Sequence, residues 1–232
     1  MATTKATIML VEDDMNLAYV TKDNLENKGY SVQHCTDGVS CFELFMKEKF
    51  DLCLLDVMLP KMDGIMLAEK IREKDKQVPI IFVTAKSMLE DKIAGFKVGG
   101  DDYITKPFSI DELLFKIEVF LKRSKVFVAT DSTQQFFTIG KYTFDFANLT
   151  LKINGNESTL TLREAEVLRF LALHQNELVP RENLLKQIWG SDDYFLGRSL
   201  DVFISRLRKN LKDDSKVSID NIHSVGFKLV VK

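Results

Sequence analysis

The 232-residue chain has no stretch approaching the ~20 consecutive apolar residues that a membrane-spanning helix needs. Its longest apolar runs, such as Ile80-Ile81-Phe82-Val83, are strand-sized, so no membrane partner is expected. The segment Met1 to Thr7 is polar, and the apolar run after it meets Glu12-Asp13-Asp14 almost at once, which does not read as a signal peptide. There are only three cysteines, Cys35, Cys41 and Cys53, with neither metal-site nor disulfide-framework spacing. They read as small core hydrophobes in a reducing, cytoplasmic setting. Internal repeats and low-complexity segments are absent. Neither sign of charge dominates, with 32 Lys and Arg against 34 Asp and Glu, a net charge of -2.

What is present is an ordinary globular composition, 45% hydrophobic and 28% charged. The length suits two domains of roughly 100 to 120 residues, each burying its own core. Charge divides unevenly, with a net of -4 over residues 1–123 and +2 over 124–232.

The first half alternates short apolar runs with helical periodicity. Runs at 8–11, 30–32, 51–55, 79–83 and 103–104 are each followed by a helix-like stretch, at about 15–28, 39–47, 64–73, 88–98 and 110–122. Apolar strands between helices signal a parallel sheet covered on both faces. Five such units predict a doubly wound, five-stranded α/β domain of the flavodoxin-like kind over 1–123. Periodicity lapses after Ser124, and 124–136 reads as a linker. From 137 to 232 the pattern changes to an α+β arrangement. β-like runs at 142–146 and 149–153 precede the turn Asn154-Gly155-Asn156. Three helices follow, at about 162–174, 181–189 and 198–211, then a hairpin of 217–222 and 225–231. This describes a winged helix-turn-helix.

In a doubly wound sheet, ligands bind outside the carboxyl ends of the strands. The polar residues that interrupt the apolar runs fall there: Glu12, Asp13 and Asp14, then Asp56, Thr84 and Lys106. Asp14 is the expected N-cap of the first helix. Crowded carboxylates call for a cation, and an all-oxygen set suits a hard ion such as Mg²⁺. A carboxylate beside that ion can attack a phosphoryl group, with Lys106 and the ion spreading the developing charge. The set implies an aspartyl phosphate.

The segments Val11-Glu12-Asp13-Asp14, Leu54 to Gly64, Val83-Thr84-Ala85 and Asp101 to Phe108 resemble the signature segments of two-component receiver domains, across residues 5–123. The resemblance implies that Asp56 is the phosphoacceptor, supplied by a histidine kinase. It implies that Glu12, Asp13, Asp56 and the carbonyl of Met58 hold Mg²⁺, and that Lys106 pairs with the phosphoryl group. It further implies a cis Lys106-Pro107 bond and a switch pair, Thr84 and Tyr103, in which the aromatic ring turns inward when Thr84 moves to the phosphate. The only catalysis expected is slow loss of the chain's own phosphate, so it is read as a regulator and not an enzyme.

Residues 137–232 resemble the winged-helix output domain of OmpR/PhoB-type regulators, through Leu160 to Leu168, Val179 to Leu184, Trp189 and the helix from Arg198 to Leu211. Placed on a helix, Leu200, Ile204, Leu207 and Leu211 gather on one arc, and the rest is strongly basic. The resemblance implies that Asp201, Val202, Ser205 and Arg206 face base edges, and that Arg198, Arg208 and Lys209 meet phosphates of promoter DNA. The loop Gly190 to Gly197 is the expected contact for RNA polymerase. The family's wing carries an Arg-Gly pair that reaches the minor groove, whereas this chain has His223-Ser224.

In this branch of receivers the fourth helix, fifth strand and fifth helix form a two-fold dimer through cross-subunit ion pairs. The matching pairs here are Lys92 with Glu112, Asp102 with Lys116, Asp101 with Arg123, and Lys97 with Glu118. The expected function is a transcription factor whose phosphorylation drives receiver dimerisation and binding to neighbouring half-sites. Two alternatives stay open. One is a constitutively dimeric, phosphorylation-independent regulator. The other is a metal-dependent phosphatase, against which Met58 stands where such enzymes need a second acid.

Overall fold

The computed structural model describes residues 4–85, 89–126, 134–190, 194–223 and 225–232, with the side chains of all but 89–92, 122–126 and 194–198. It divides into two units, 1–126 and 127–232.

The first unit alternates β1 (Thr7–Val11), α1 (Met15–Asn27), β2 (Ser31–Cys35), α2 (Gly38–Phe45), β3 (Leu52–Asp56), α3 (Gly64–Lys74), β4 (Ile80–Thr84), α4 (Leu89–Val98), β5 (Asp102–Thr105) and α5 (Ile110–Val126). The five strands are parallel, in the order β2-β1-β3-β4-β5. Every residue of β3 and β4 is buried, as continuous apolar strands between two helical layers must be. The order reverses between β1 and β3, which opens a crevice at their carboxyl ends.

Local chemistry sets the helix starts at this crevice. Asp14 caps α1, its carboxylate accepting the N–H groups of Asn16 and Leu17. Asp37 caps α2 and Asp63 caps α3 in the same manner. A Cβ on Gly64 would stand 2.0 Å from the Asp56 carbonyl oxygen, so only glycine lets α3 begin this close to β3.

The second unit opens with an antiparallel meander, β6 (Phe136–Ile139), β7 (Tyr142–Asp145), β8 (Thr150–Ile153) and β9 (Asn156–Thr159). Helices α6 (Leu162–Leu173), α7 (Arg181–Trp189) and α8 (Tyr194–Asn210) follow. A second sheet, β10-β12-β11, joins β10 (Val179–Pro180) to the closing hairpin β11 (Val217–Ile222) and β12 (Gly226–Val231). Helix α6 starts with a reciprocal capping box between Thr161 and Glu164. Leu200, Phe203, Ile204, Leu207 and Leu211 are buried and anchor α8.

Three sequence expectations need correction. The linker expected over 124–136 overlaps both α5, which runs through Val126, and β6, which begins at Phe136. The helix expected from Arg198 begins four residues earlier, at Tyr194, so half of the expected loop Gly190 to Gly197 is helical. A lone helical glycine such as Gly197 costs only about 1 kcal/mol, and here it does not end the helix. Residues 191–193 of that loop lie outside the described residues.

Candidate functional site

Carboxylate oxygens of Glu12, Asp13 and Asp56 lie within 4.8 Å of one another at the ends of β1 and β3. Glu12 and Asp56 are buried and Asp13 is exposed, so the cluster faces solvent on one side only. Lys106 enters from the end of β5, its Nζ 2.5 Å from Asp56 Oδ2 and 2.6 Å from Glu12 Oε2. Three carboxylates and one ammonium leave a formal charge of -2, which a single divalent cation balances. The all-oxygen donor set fits Mg²⁺.

Backbone hydrogen bonds hold Asp56, Lys106 and Glu12. The Met58 N–H donates to Asp56 Oδ1 at 2.8 Å, which turns the Met58 peptide toward the pocket. The Lys106 N–H donates to the Thr84 carbonyl at 2.9 Å, tying the ends of β4 and β5. The Lys106-Pro107 bond is cis. The Glu12 N–H donates to the Cys35 carbonyl at 3.1 Å, and His34 Nε2 lies 2.8 Å from the Glu12 carbonyl.

Electrostatics follow from burial and pairing. Burial pushes the Glu12 carboxyl above its ordinary value of 4.5, against the pull of the Lys106 ammonium. Burial works against the charge on Lys106, but hydrogen bonds to Asp56 and Glu12 outweigh it and raise its pKa. An adjacent bridge, Lys61 Nζ to Asp37 Oδ2 at 2.8 Å, lowers the Asp37 carboxyl to about 2.

Thr84 is completely buried at the end of β4. Tyr103 already points inward, stacked at 4.9 Å on Phe82 and edge-on at 5.1 Å to Phe96. Space for that ring comes from Gly95 in α4, where a Cβ would lie 1.7 Å from Tyr103 Oη. Gly95 passed unnoticed in the sequence, since nothing there marks it as facing Tyr103.

Two acids of the face expected to form a dimer are buried and paired within their own chain. Asp101 is fully buried, its Oδ2 accepting from Arg72 at 2.8 Å and from the Ile80 N–H at 2.9 Å. Asp102 is buried and bridged to Lys116 of its own chain at 2.8 Å. A buried carboxylate needs a partner in its own fold, and both acids have one. Lys97 and Glu112 are exposed and Glu118 is half-buried. The side chains of Lys92 and Arg123 lie outside the described residues. Arg72 also donates to the carbonyls of Gly99, Asp75 and Val78, a network the sequence did not reveal.

In the second unit, Ser205, Arg208, Lys209 and His223 are exposed, and Val202 is half-buried. Asp201 is bridged to Arg181 at 2.5 Å, and Arg206 Nε lies 2.8 Å from Glu164. Arg208 leans on β11, donating through Nε and a terminal nitrogen to the Ile219 carbonyl. The side chain of Arg198 lies outside the described residues. Arg181 and Glu164, given no role of their own in the sequence, thus orient two members of the expected reading face.

A flavodoxin-like sheet with this acid-lysine pocket, followed by a winged helix, defines a response regulator with a DNA-binding output domain. Residues 8–118 match the family model "Response regulator receiver domain", and 155–229 match "Transcriptional regulatory protein, C terminal". The chain is 47% identical over 226 residues to the transcriptional regulatory protein RprY of Bacteroides fragilis, covering 97% of this chain and 95% of that one. It is similar to the response regulator DrrB of Thermotoga maritima, an OmpR/PhoB homolog, at 30% identity and a TM-score of 0.51, covering 97% and 98%. A RitR mutant, at 23% identity, shares the fold with a TM-score of 0.74, covering 97% and 99%. The chain belongs to the OmpR/PhoB family of response regulators.

Proposed function

We propose that this protein is a phosphorylation-controlled transcription factor in which Asp56 accepts a phosphoryl group from a sensor histidine kinase. The observation that carries the reading is the juxtaposition of Asp56 with Lys106, Glu12 and Asp13 at the sheet's switch point. A free oxygen lone pair of Asp56 attacks phosphorus, the P–N bond to the donor imidazole breaks, and the imidazole nitrogen keeps that electron pair. Lys106 stabilises the charge on the phosphoryl oxygens. Glu12, Asp13, Asp56 and the Met58 carbonyl would hold Mg²⁺, which supplies further charge neutralisation when bound.

Phosphoryl oxygens at Asp56 draw the Thr84 hydroxyl and Lys106, favouring the inward Tyr103 conformation and an altered α4-β5-α5 face. That face, with Lys97, Glu112 and Glu118 as exposed or half-exposed charges and Lys92 and Arg123 in its sequence, pairs two receivers. Exposed pairs contribute only about 0–1 kcal/mol each, which makes the dimer easy to gate. Two winged helices then meet neighbouring half-sites of promoter DNA, with Ser205, Arg208, Lys209 and His223 at the surface, Asp201, Val202 and Arg206 beside them, and Arg198 in the helix's sequence. The 190–197 segment meets RNA polymerase. The setting is the cytoplasm, where kinase, promoter and polymerase coincide.

The test is phosphorylation by acetyl phosphate with Mg²⁺, followed by peptide mapping. The expected result is one phosphoryl group on Asp56, lost in Asp56→Ala. A phosphoryl group elsewhere, or none, refutes the assignment.

A further inference from the structure

Asp37 and Lys61 lie beside the pocket and take no part in the chemistry above. Lys61 stands in the loop from β3 into α3, three residues after Met58, with a φ of 64°. A side chain with a Cβ rarely adopts that left-handed region, and lysine lacks the short polar group with which asparagine or aspartate bonds locally there. Such a residue persists only where its surroundings hold it. Here the Lys61 ammonium is held, its Nζ 2.8 Å from Asp37 Oδ2 at the start of α2. Asp37 is a fixed anchor: it is buried, and its other carboxylate oxygen accepts the Val39 and Ser40 N–H groups at the helix cap.

The loop between them is tied down on both sides of the strained residue. At its start the Met58 N–H donates to Asp56 Oδ1 at 2.8 Å, and at its end the Gly64 N–H donates to the Val57 carbonyl at 3.0 Å. Just after Lys61, the Met62 N–H donates to the Pro60 carbonyl at 2.7 Å. An ideal Cβ on Gly38 would lie 2.3 Å from the Met62 carbonyl oxygen, so the loop lies flat against the first turn of α2. An exposed lysine in an ion pair ordinarily contributes little. Here its gain is set against a backbone strain of similar size in the same residue, so the bridge decides which conformation the loop keeps.

We propose that Lys61 and Asp37 are positioning residues of the phosphoacceptor pocket: their bridge holds the β3–α3 loop, and Met58 with it, in the conformation that binds Mg²⁺. The proposal rests on the pocket reading above, in which the Met58 carbonyl joins Glu12, Asp13 and Asp56 around the ion. Without the bridge, Lys61 relaxes toward negative φ, and rotation at that residue displaces the short segment back to Met58. Both residues act through the loop and not on the reacting atoms. Their loss therefore lowers the affinity for Mg²⁺, while saturating Mg²⁺ draws the loop back and restores the maximal rate of phosphorylation.

The test uses the full-length protein as wild type, Lys61→Met, Asp37→Asn, the double variant and Lys61→Arg. Lys61 is exposed and asparagine still caps a helix, so these variants keep the fold. Mg²⁺ affinity is measured by calorimetry, and the rate with acetyl phosphate is followed against Mg²⁺ concentration. Amide exchange at Met58, Met62 and Gly64 is measured by NMR without Mg²⁺. The expected result is Mg²⁺ binding about three- to tenfold weaker in Lys61→Met and in Asp37→Asn, no weaker still in the double variant, and restored in Lys61→Arg. The maximal rate stays unchanged, and the loop amides exchange faster in the weakened variants. Unchanged Mg²⁺ affinity, additive losses, no rescue by arginine, or a fall in maximal rate alone overturns the proposal. Absence of Mg²⁺ binding by wild type refutes the pocket reading instead, and the metal-free exchange rates then decide whether the bridge holds the loop: equal rates in wild type and Lys61→Met show that it does not.

Discussion

Gly95→Ala separates the inward-ring account from simple helix propensity. Gly95 lies inside α4, where alanine is intrinsically better than glycine by about 1 kcal/mol. Propensity alone therefore predicts stabilisation. The added methyl, however, would stand 1.7 Å from Tyr103 Oη and 2.9 Å from a Phe82 ring carbon, against ordinary contact at 3.4 Å or more. Backbone on both sides is fixed by packing, and the movable group is the Tyr103 ring. Expelling a buried large side chain costs about 1.5–3 kcal/mol, so the net effect after the propensity gain is a destabilisation of roughly 0.5–2 kcal/mol. Tyr103 should also become accessible to acrylamide quenching or chemical modification. In a Tyr103→Ala background the clash with the ring is gone, and Gly95→Ala should become neutral or stabilising. Urea unfolding of the four proteins measures this double-mutant cycle. Stabilisation by Gly95→Ala in the wild-type background refutes the reasoning.

Other perturbations follow from the same geometry. Arg72→Met strands the buried Asp101 carboxylate and should cost about 3–5 kcal/mol in denaturant unfolding; a cost below about 1 kcal/mol would show that Asp101 does not depend on this partner. Asp13→Asn should weaken Mg²⁺ binding about tenfold or more by calorimetry, with little loss of stability because Asp13 is exposed. The Glu12 carboxyl is raised above 4.5, chiefly by burial. Its contribution to stability is therefore fully present below the ordinary value and is lost as pH rises through the raised one. Glu12→Gln should flatten the stability profile above pH 4.5, and an unchanged slope would remove Glu12 as its source.

Much of this architecture is legible in the sequence because a parallel sheet writes itself as uninterrupted apolar runs. Val11, Asp56, Thr84 and Thr105 end such runs, and the functional groups stand at or just after these ends. What escaped is non-local or short. Asp101 lies 29 residues from Arg72, and its burial is invisible in a segment that reads as a charged loop. Phe136 to Ile139 follows a polar stretch and pairs with β7 only once folded. Val179–Pro180 is too brief to show periodicity. Gly197 disguised the first turn of α8, and the pairing of Arg206 with Glu164 depends on the packing of α6 against α8.

The most direct test of the central claim is the molar mass of the protein by light scattering, with and without beryllofluoride and Mg²⁺, on wild type and Asp56→Ala. The account predicts a shift from monomer toward dimer in wild type alone. A wild type that is already dimeric and indifferent to the phosphoryl mimic would contradict it and favour a regulator that works without phosphorylation.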